Sequence, residues 1–551
     1  MAVDVPPENS AQQKVTGDEV NGDSARGAML SMQRIDIWCE KWGDWCNPIL
    51  VKETRQALKS RQFVITFSLL LVAALSWTII GTVSLMPAIY DTPSAPRMLL
   101  GYYFVLALPM LLVVPLAAYR SLEGEIDDGT LELLSITALS PKQIVLGKLA
   151  SAMLQMLLYF VVLFPCVSYA YTLRGVDFPT TVVLLGMLVI AGIMMTIVAL
   201  FFAPLSRSRT GRVTMLLVVI MLLVGAEWLL GLAAFELIFG DGDWQRDMGF
   251  SQISVLLGGV LLVVPAVAHL FLTLAAAQLT PMIENRSTKI RVALLVVNAT
   301  VAAWIALGFE DSFAFVQQMF LGGVGLMFLW VLASSMFVSE SPVLTPRVQR
   351  TLPQSFLGRA TLTWLAPGPA TGLVFSVLNI LLLLGMLVGA FASMAISGFV
   401  FSSSDLREVE MLLQFSCAVA AYMTCFLVLV YGVMKALRRK NNPRVEVGFA
   451  ALVVVAVFSA LGPYGIQLYL NDFLEFPYSH WQATNWVWTL YNIADGVDCS
   501  GVIKTLGTMG VLGVLGVMFM NPALVRPRRT ATPERVLQEL EKNRDAAAAP
   551  K

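Results

Sequence analysis

Five carboxylates fall within ten residues, at Glu123, Glu125, Asp127, Asp128 and Glu132, in a charged stretch caught between two long apolar runs. Charge at that density beside a membrane suits the docking of a soluble partner. The elements that would present it are readable locally. Asp127-Asp128-Gly129-Thr130 has turn composition, because Asp and Gly tolerate unusual backbone angles and Thr130 can cap a helix starting at Leu131. The next helix is announced by Ser140-Pro141-Lys142-Gln143, with Ser as cap, Pro at the first helical position and Gln reaching back to close a capping box. A short transverse helix, Leu131 to Ile136, is therefore expected between two helices that enter an apolar phase.

Other chemistries lack their residues. The phosphate-cradling pattern G-x-x-x-x-G-K-[ST] is absent, so this chain has no nucleotide site of that kind. Neither H-E-x-x-H nor G-x-S-x-G occurs, and the chain is not expected to be an enzyme. Cys39, Cys46, Cys166, Cys417, Cys425 and Cys499 form no C-x-x-C pair and have two histidines for company, so no metal site is expected. With 37 basic and 37 acidic residues the net charge is zero, which offers nothing to nucleic acid.

Hydrophobic residues make up 57% of the 551 and charged residues 13%, against roughly 25% charged in a soluble domain. The expected class is an all-α polytopic integral membrane protein. A span needs about 20 apolar residues, and about twelve stretches qualify, from 63–86 and 98–119 through 250–279 and 317–338 to 501–524. Basic residues should favour the cytosol. Lys52, Arg55, Lys59 and Arg61, then Arg120 and Lys142, then Arg207, Arg209 and Arg212, with later clusters, fall on one side of a twelve-span path. The opposite loops carry Arg97, Arg174, Arg246, Arg407 and the boundary residue Lys504. Both termini and the 120–148 loop are thus expected in the cytosol. Residues 1–34 have the composition of a disordered tail rather than a signal peptide. Residues 35–62, with Trp38, Trp42 and Trp45, suit an interfacial segment, and 526–551 a solvated tail.

The residues also carry a resemblance. Glu125, then Gly129-Thr130-Leu131-Glu132-Leu133-Leu134, then Leu139-Ser140-Pro141, Gln143-Ile144 and Gly147-Lys148, resembles the cytoplasmic loop after the second span of type-2 ATP-binding cassette (ABC) exporter permeases. Upstream, Asn47-Pro48-Ile49, Lys52-Glu53-Thr54-Arg55 and Lys59-Ser60-Arg61 resemble the amphipathic elbow before the first span. The resemblance implies a permease subunit in the cell (inner or plasma) membrane, working with a separate ABC ATPase in two copies that binds ATP and Mg. It implies assembly as a homodimer or with a related permease. It assigns Glu123, Glu125 and Glu132 to basic residues of the ATPase, Leu131, Leu133 and Leu134 to its groove, and Gly129 to the bend. Asn47, Pro48, Glu53 and Arg55 would belong to the elbow.

Residues 63–280 would form the six-span permease half, and 281–525 an additional six-span region in which the loop pattern does not recur. The resemblance also makes Glu227 and Glu236 candidates for lining an outer vestibule; alternatively Glu227 is protonated or hydrogen-bonded to a neighbouring helix, since an acid within a span is expensive. Asn298 and Asn379 are expected to bond between helices. The alternative class is a polytopic secondary transporter or a lipid-modifying membrane enzyme.

Overall fold

The computed structural model describes residues 48–548 except 88–90, 131–138, 206–207, 241–256, 282–283, 307–311, 351, 353–354, 356–357, 359–362, 397–402, 440–444, 475–476 and 522–532. Among these there is no strand, and the protein is an all-α polytopic membrane protein. Eleven helices are long and apolar enough to cross a bilayer. The remaining expected span is the helix Ser312–Val338, whose segment Gly322–Val338 counts among the shorter apolar helices. Two compact units divide the chain, Met1–Gly242 and Asp243–Lys551. Grouping the spans six and six by sequence puts the division after 280 instead.

In the first unit, α1 (Pro48–Leu58) leads into α2 (Arg61–Leu85), capped by Ser60, whose Oγ accepts from Phe63 N at 3.1 Å. Then come α3 (Ala95–Asp127), α4 (Pro141–Thr172), α5 (Phe178–Phe202) and α6 (Arg209–Phe239). The core is built on α3, where Met98, Tyr102, Tyr103, Leu106, Met110 and Leu122 are fully buried. α3 packs against α5, and α1 lies on α4. Polar side chains tie the spans: the Thr78 and Tyr102 hydroxyls are 2.6 Å apart, and Trp77 Nε1 donates to Met98 O at 3.1 Å. The outer faces of α2 and α6 expose Leu69, Val72, Ile79, Met221, Trp228 and Leu232, as lipid-facing helices do.

Within α3 the residues Leu108–Val113 form a π turn, in which Val114 N donates to Pro109 O. Pro115 follows, with no N–H to give. The second unit repeats the device. Its first span, α7 (Gly259–Leu279), opens on a π turn at Gly259–Val263, with Val264 N donating to Gly259 O and Pro265 next. The same five residues, Leu-Leu-Val-Val-Pro, occur at 111–115 and 261–265.

The second unit continues with α8 (Ser287–Ala306), α9 (Ser312–Val338), the short α10 (Pro346–Arg350), α11 (Pro369–Ile396), α12 (Ser403–Leu437), α13 (Glu446–Leu470), α14 (Trp486–Ala494), α15 (Ser500–Met520) and α16 (Glu534–Ala548). α7 packs on α8 through Ala266 and Leu270 against a cluster with Leu294 and Val297, which is why it groups with this unit. α9, α11 and α12 share the core around Trp330, whose Nε1 donates to Asn298 Oδ1 at 2.8 Å. Asn298 thus bonds between helices as expected. Asn379 instead donates to Phe375 O, one turn back on its own helix, at 2.7 Å.

Candidate functional site

The residues quoted for the elbow and the loop meet around one lysine. α1 begins at Pro48, where a missing N–H costs a helix nothing. It turns Glu53 inward, to 9% exposure. α3 runs on past the core and carries Ser121 beside the buried Leu122 and Glu123, Glu125 and Asp127 beyond it. α4 starts with the expected box: Ser140 N donates to Gln143 Oε1 at 2.8 Å, the Ser140 side chain accepts from Gln143 N, and Pro141 opens the helix. Two turns along, Lys148 is carried into the interior at 1% side-chain exposure.

Lys148 Nζ makes two hydrogen bonds and one further charge contact. It donates to Ser121 Oγ at 2.7 Å and to Glu53 Oε1 at 3.0 Å, and lies 3.2 Å from Glu125 Oε2 in charge contact without an aligned hydrogen bond. Ser121 in turn donates to Glu53 Oε2 at 3.0 Å. Glu125 Oε1 accepts from Lys52 Nζ at 3.0 Å. Two ammonium groups and two carboxylates therefore balance, which is the condition for holding charge inside a protein. The hydrogen bond from Glu125 raises the Lys52 pKa above its ordinary value, against the opposing effect of burial. A polar cavity of about 300 Å³ opens beside the junction, lined by Glu53, Arg120, Ser121, Lys148, Ser151 and Gln155 among others.

A second tie holds the end of α3, where Arg212 Nη1 of α6 pairs with Asp127 Oδ1. Gly129 follows with φ +67°, a left-handed angle that a side chain would strain, and nothing lies within 4 Å of where its Cβ would be. Its role is the bend alone. Thr130, expected to cap the next helix, donates its hydroxyl back to Glu125 O at 3.1 Å. Leu131, Glu132, Leu133 and Leu134 lie outside the described residues, as does Asn47. Glu123 is half-buried, while Asp127 and Asp128 are exposed.

No family model, curated protein or solved structure matches this chain.

Glu227 and Glu236 do not come together. They lie on one uninterrupted helix, and nine residues at 3.6 per turn rotate by about 900°, so the two side chains leave opposite faces. Glu227 is half-buried, whereas Glu236 is exposed. Among the described residues no group of three or more His, Cys, Asp or Glu is placed to hold a metal.

Sequence reasoning missed Ser121 and the partners of Lys148, for which spacing carries no signal. It also missed a second buried cation, in the other unit. Arg291 counts by sequence as a loop charge, yet its side chain is fully buried. Its Nη1 donates to the carbonyls of Trp364 and Ala366, each at 2.7 Å, and its Nη2 to Glu340 Oε2 at 2.9 Å. The Phe337 ring lies 4.9 Å from the guanidinium. Burial pushes the Glu340 carboxyl up from its ordinary range, and Arg291 opposes that.

Proposed function

We propose that this chain is the membrane-spanning permease subunit of an ABC transporter, acting as an exporter in the cell membrane and driven by an ATPase on a separate chain. The observation that carries this reading is the Lys148 junction. Glu53 of the elbow and Glu125 at the head of the loop are fastened to the same buried ammonium group, so a push on the loop reaches α1, α3 and α4 together. A motor gripping residues 131–136 would thereby act on three helices through a charge cluster that cannot be pulled apart cheaply. Because Glu125 is committed inward, at 14% side-chain exposure, docking falls to Glu132, Leu131, Leu133 and Leu134, with Asp128 exposed beside them.

The reading expects two ATPase copies, ATP and Mg bound there, and two permease chains. Its test is cysteine labelling of E132C in intact and permeabilised cells with a membrane-impermeant maleimide, together with ATP hydrolysis by the complex purified through this chain. Labelling only after permeabilisation, and hydrolysis lost in L131D/L134D, are expected. Labelling from outside intact cells overturns the reading. Substrate flux that persists without any ATPase, and collapses when the proton gradient is dissipated, favours the secondary transporter.

A further inference from the structure

A groove of about 770 Å³ runs between α1 and the flank formed by α3, α4 and α5. Met153, Leu157 and Phe160 of α4 and Ile193 of α5 are among the residues that line it, and almost all of its wall is hydrocarbon. Its α4 wall extends from Ala150 to Phe160, which at 1.5 Å per residue is about 15 Å. That is half of the ~30 Å hydrocarbon layer, the depth of one leaflet.

The groove's charged end is supplied by α1. Arg55 lines it and, among the described residues, has no acidic partner, since Glu53 is taken by Lys148 and Glu125 by Lys52 and Lys148. The Thr54 hydroxyl beside it is buried without a hydrogen-bond partner. A slot with one leaflet's depth of apolar wall and one guanidinium without an acidic partner in its lining suits a single lipid molecule with an anionic headgroup.

We propose that this groove binds one anionic phospholipid, with an acyl chain along Met153 and Leu157 and the phosphate on the exposed Arg55 guanidinium. Planar guanidinium suits phosphate oxygens, which it can meet with two parallel hydrogen bonds. The proposal uses only α1 and the spans and is independent of what grips the loop.

The test uses the full chain in phosphatidylcholine nanodiscs doped with phosphatidylglycerol carrying a diazirine in its acyl chain, photolysed and mapped by mass spectrometry. Adducts are expected to concentrate on Met153, Leu157 and Ile193. In R55Q they should fall about five-fold, the scale of one cationic residue's attraction for anionic lipid. A similar fall is expected when the diazirine sits on phosphatidylcholine. Filling the groove with A150F should remove these adducts and leave those on the exposed face of α2, at Val72 and Ile79, unchanged; that face serves as the control for folding. Adducts spread evenly over the groove and α2 for both headgroups, unaffected by either variant, would overturn the proposal. So would a cross-link to a second polypeptide at Leu157.

Discussion

Lys148 Nζ of α4 donates to Glu53 Oε1 of α1 at 3.0 Å, joining residues 95 apart in sequence. Around that bond Ser121 and Glu125 complete a set in which every donor has somewhere to go. K148M would strand Glu53 without a cation and leave Glu125 only the exposed Lys52. Removing one member of a buried pair costs about 3–5 kcal/mol. Thermal unfolding of the detergent-solubilised chain should show a clear drop for K148M, partly recovered when E53Q is added, because the second change removes one stranded charge. An unchanged midpoint in K148M would show that the junction does not hold these helices.

The outer pair of the same cluster has a pH signature. Lys52 donates a hydrogen bond to Glu125 and its pKa rises above the ordinary 10.5. A group whose folded pKa is raised contributes stability in full below its unfolded value, and that contribution is lost as pH climbs through the folded one. Coupling between positions 52 and 125 in a double-mutant cycle should therefore be constant from about pH 6 to 9 and vanish only in alkali beyond the ordinary lysine value. Coupling that disappears already near neutrality would rule the pair out. Lys52 is 57% exposed, so the effect is modest and screened by salt.

Packing in the second unit offers a paired test on one helix. A Cβ on Gly372 of α11 would sit 2.8 Å from Phe337 Cβ and 2.9 Å from that residue's carbonyl, whereas one on Gly385 would meet nothing within 4 Å. G372A should destabilise by about 1–3 kcal/mol through overpacking. G385A should be neutral or stabilise by up to ~1 kcal/mol, from helix propensity. Equal midpoints for the two variants in thermal unfolding would mean that α9 and α11 do not approach this closely.

What could be read from the chain was local. Long apolar stretches between polar breaks betray membrane helices because one helix alone must satisfy its backbone in lipid. The box of Ser140, Pro141 and Gln143 was legible because its parts lie three residues apart. Gly129 was legible as a bend for the same reason. Lys148 and Glu53 could be quoted as motif residues, but nothing in their spacing says that a charge in α4 meets one in α1. Arg291 shows the limit from the other side. Counting basic residues by loop treats every arginine as solvated, and this one is enclosed by the turn before α11, the end of α9 and two phenylalanine rings. Glu227 and Glu236 failed as a pair because α6 continues unbroken to Phe239, and rotation along a helix separates what sequence proximity seems to join.

The π turn of α3 takes the Met110 carbonyl out of the usual helical ladder. Val114 N is spent on Pro109 O and Pro115 has no hydrogen, so neither residue able to reach the Met110 carbonyl through the helix supplies a donor. Opposite it stands Gly192 of α5, where even a methyl group would come within 3.2 Å of that oxygen. Bareness at position 192 lets the backbone of α5 draw close to α3 at this point. A bulkier residue there would wedge the two helices apart beside the π turn of α3.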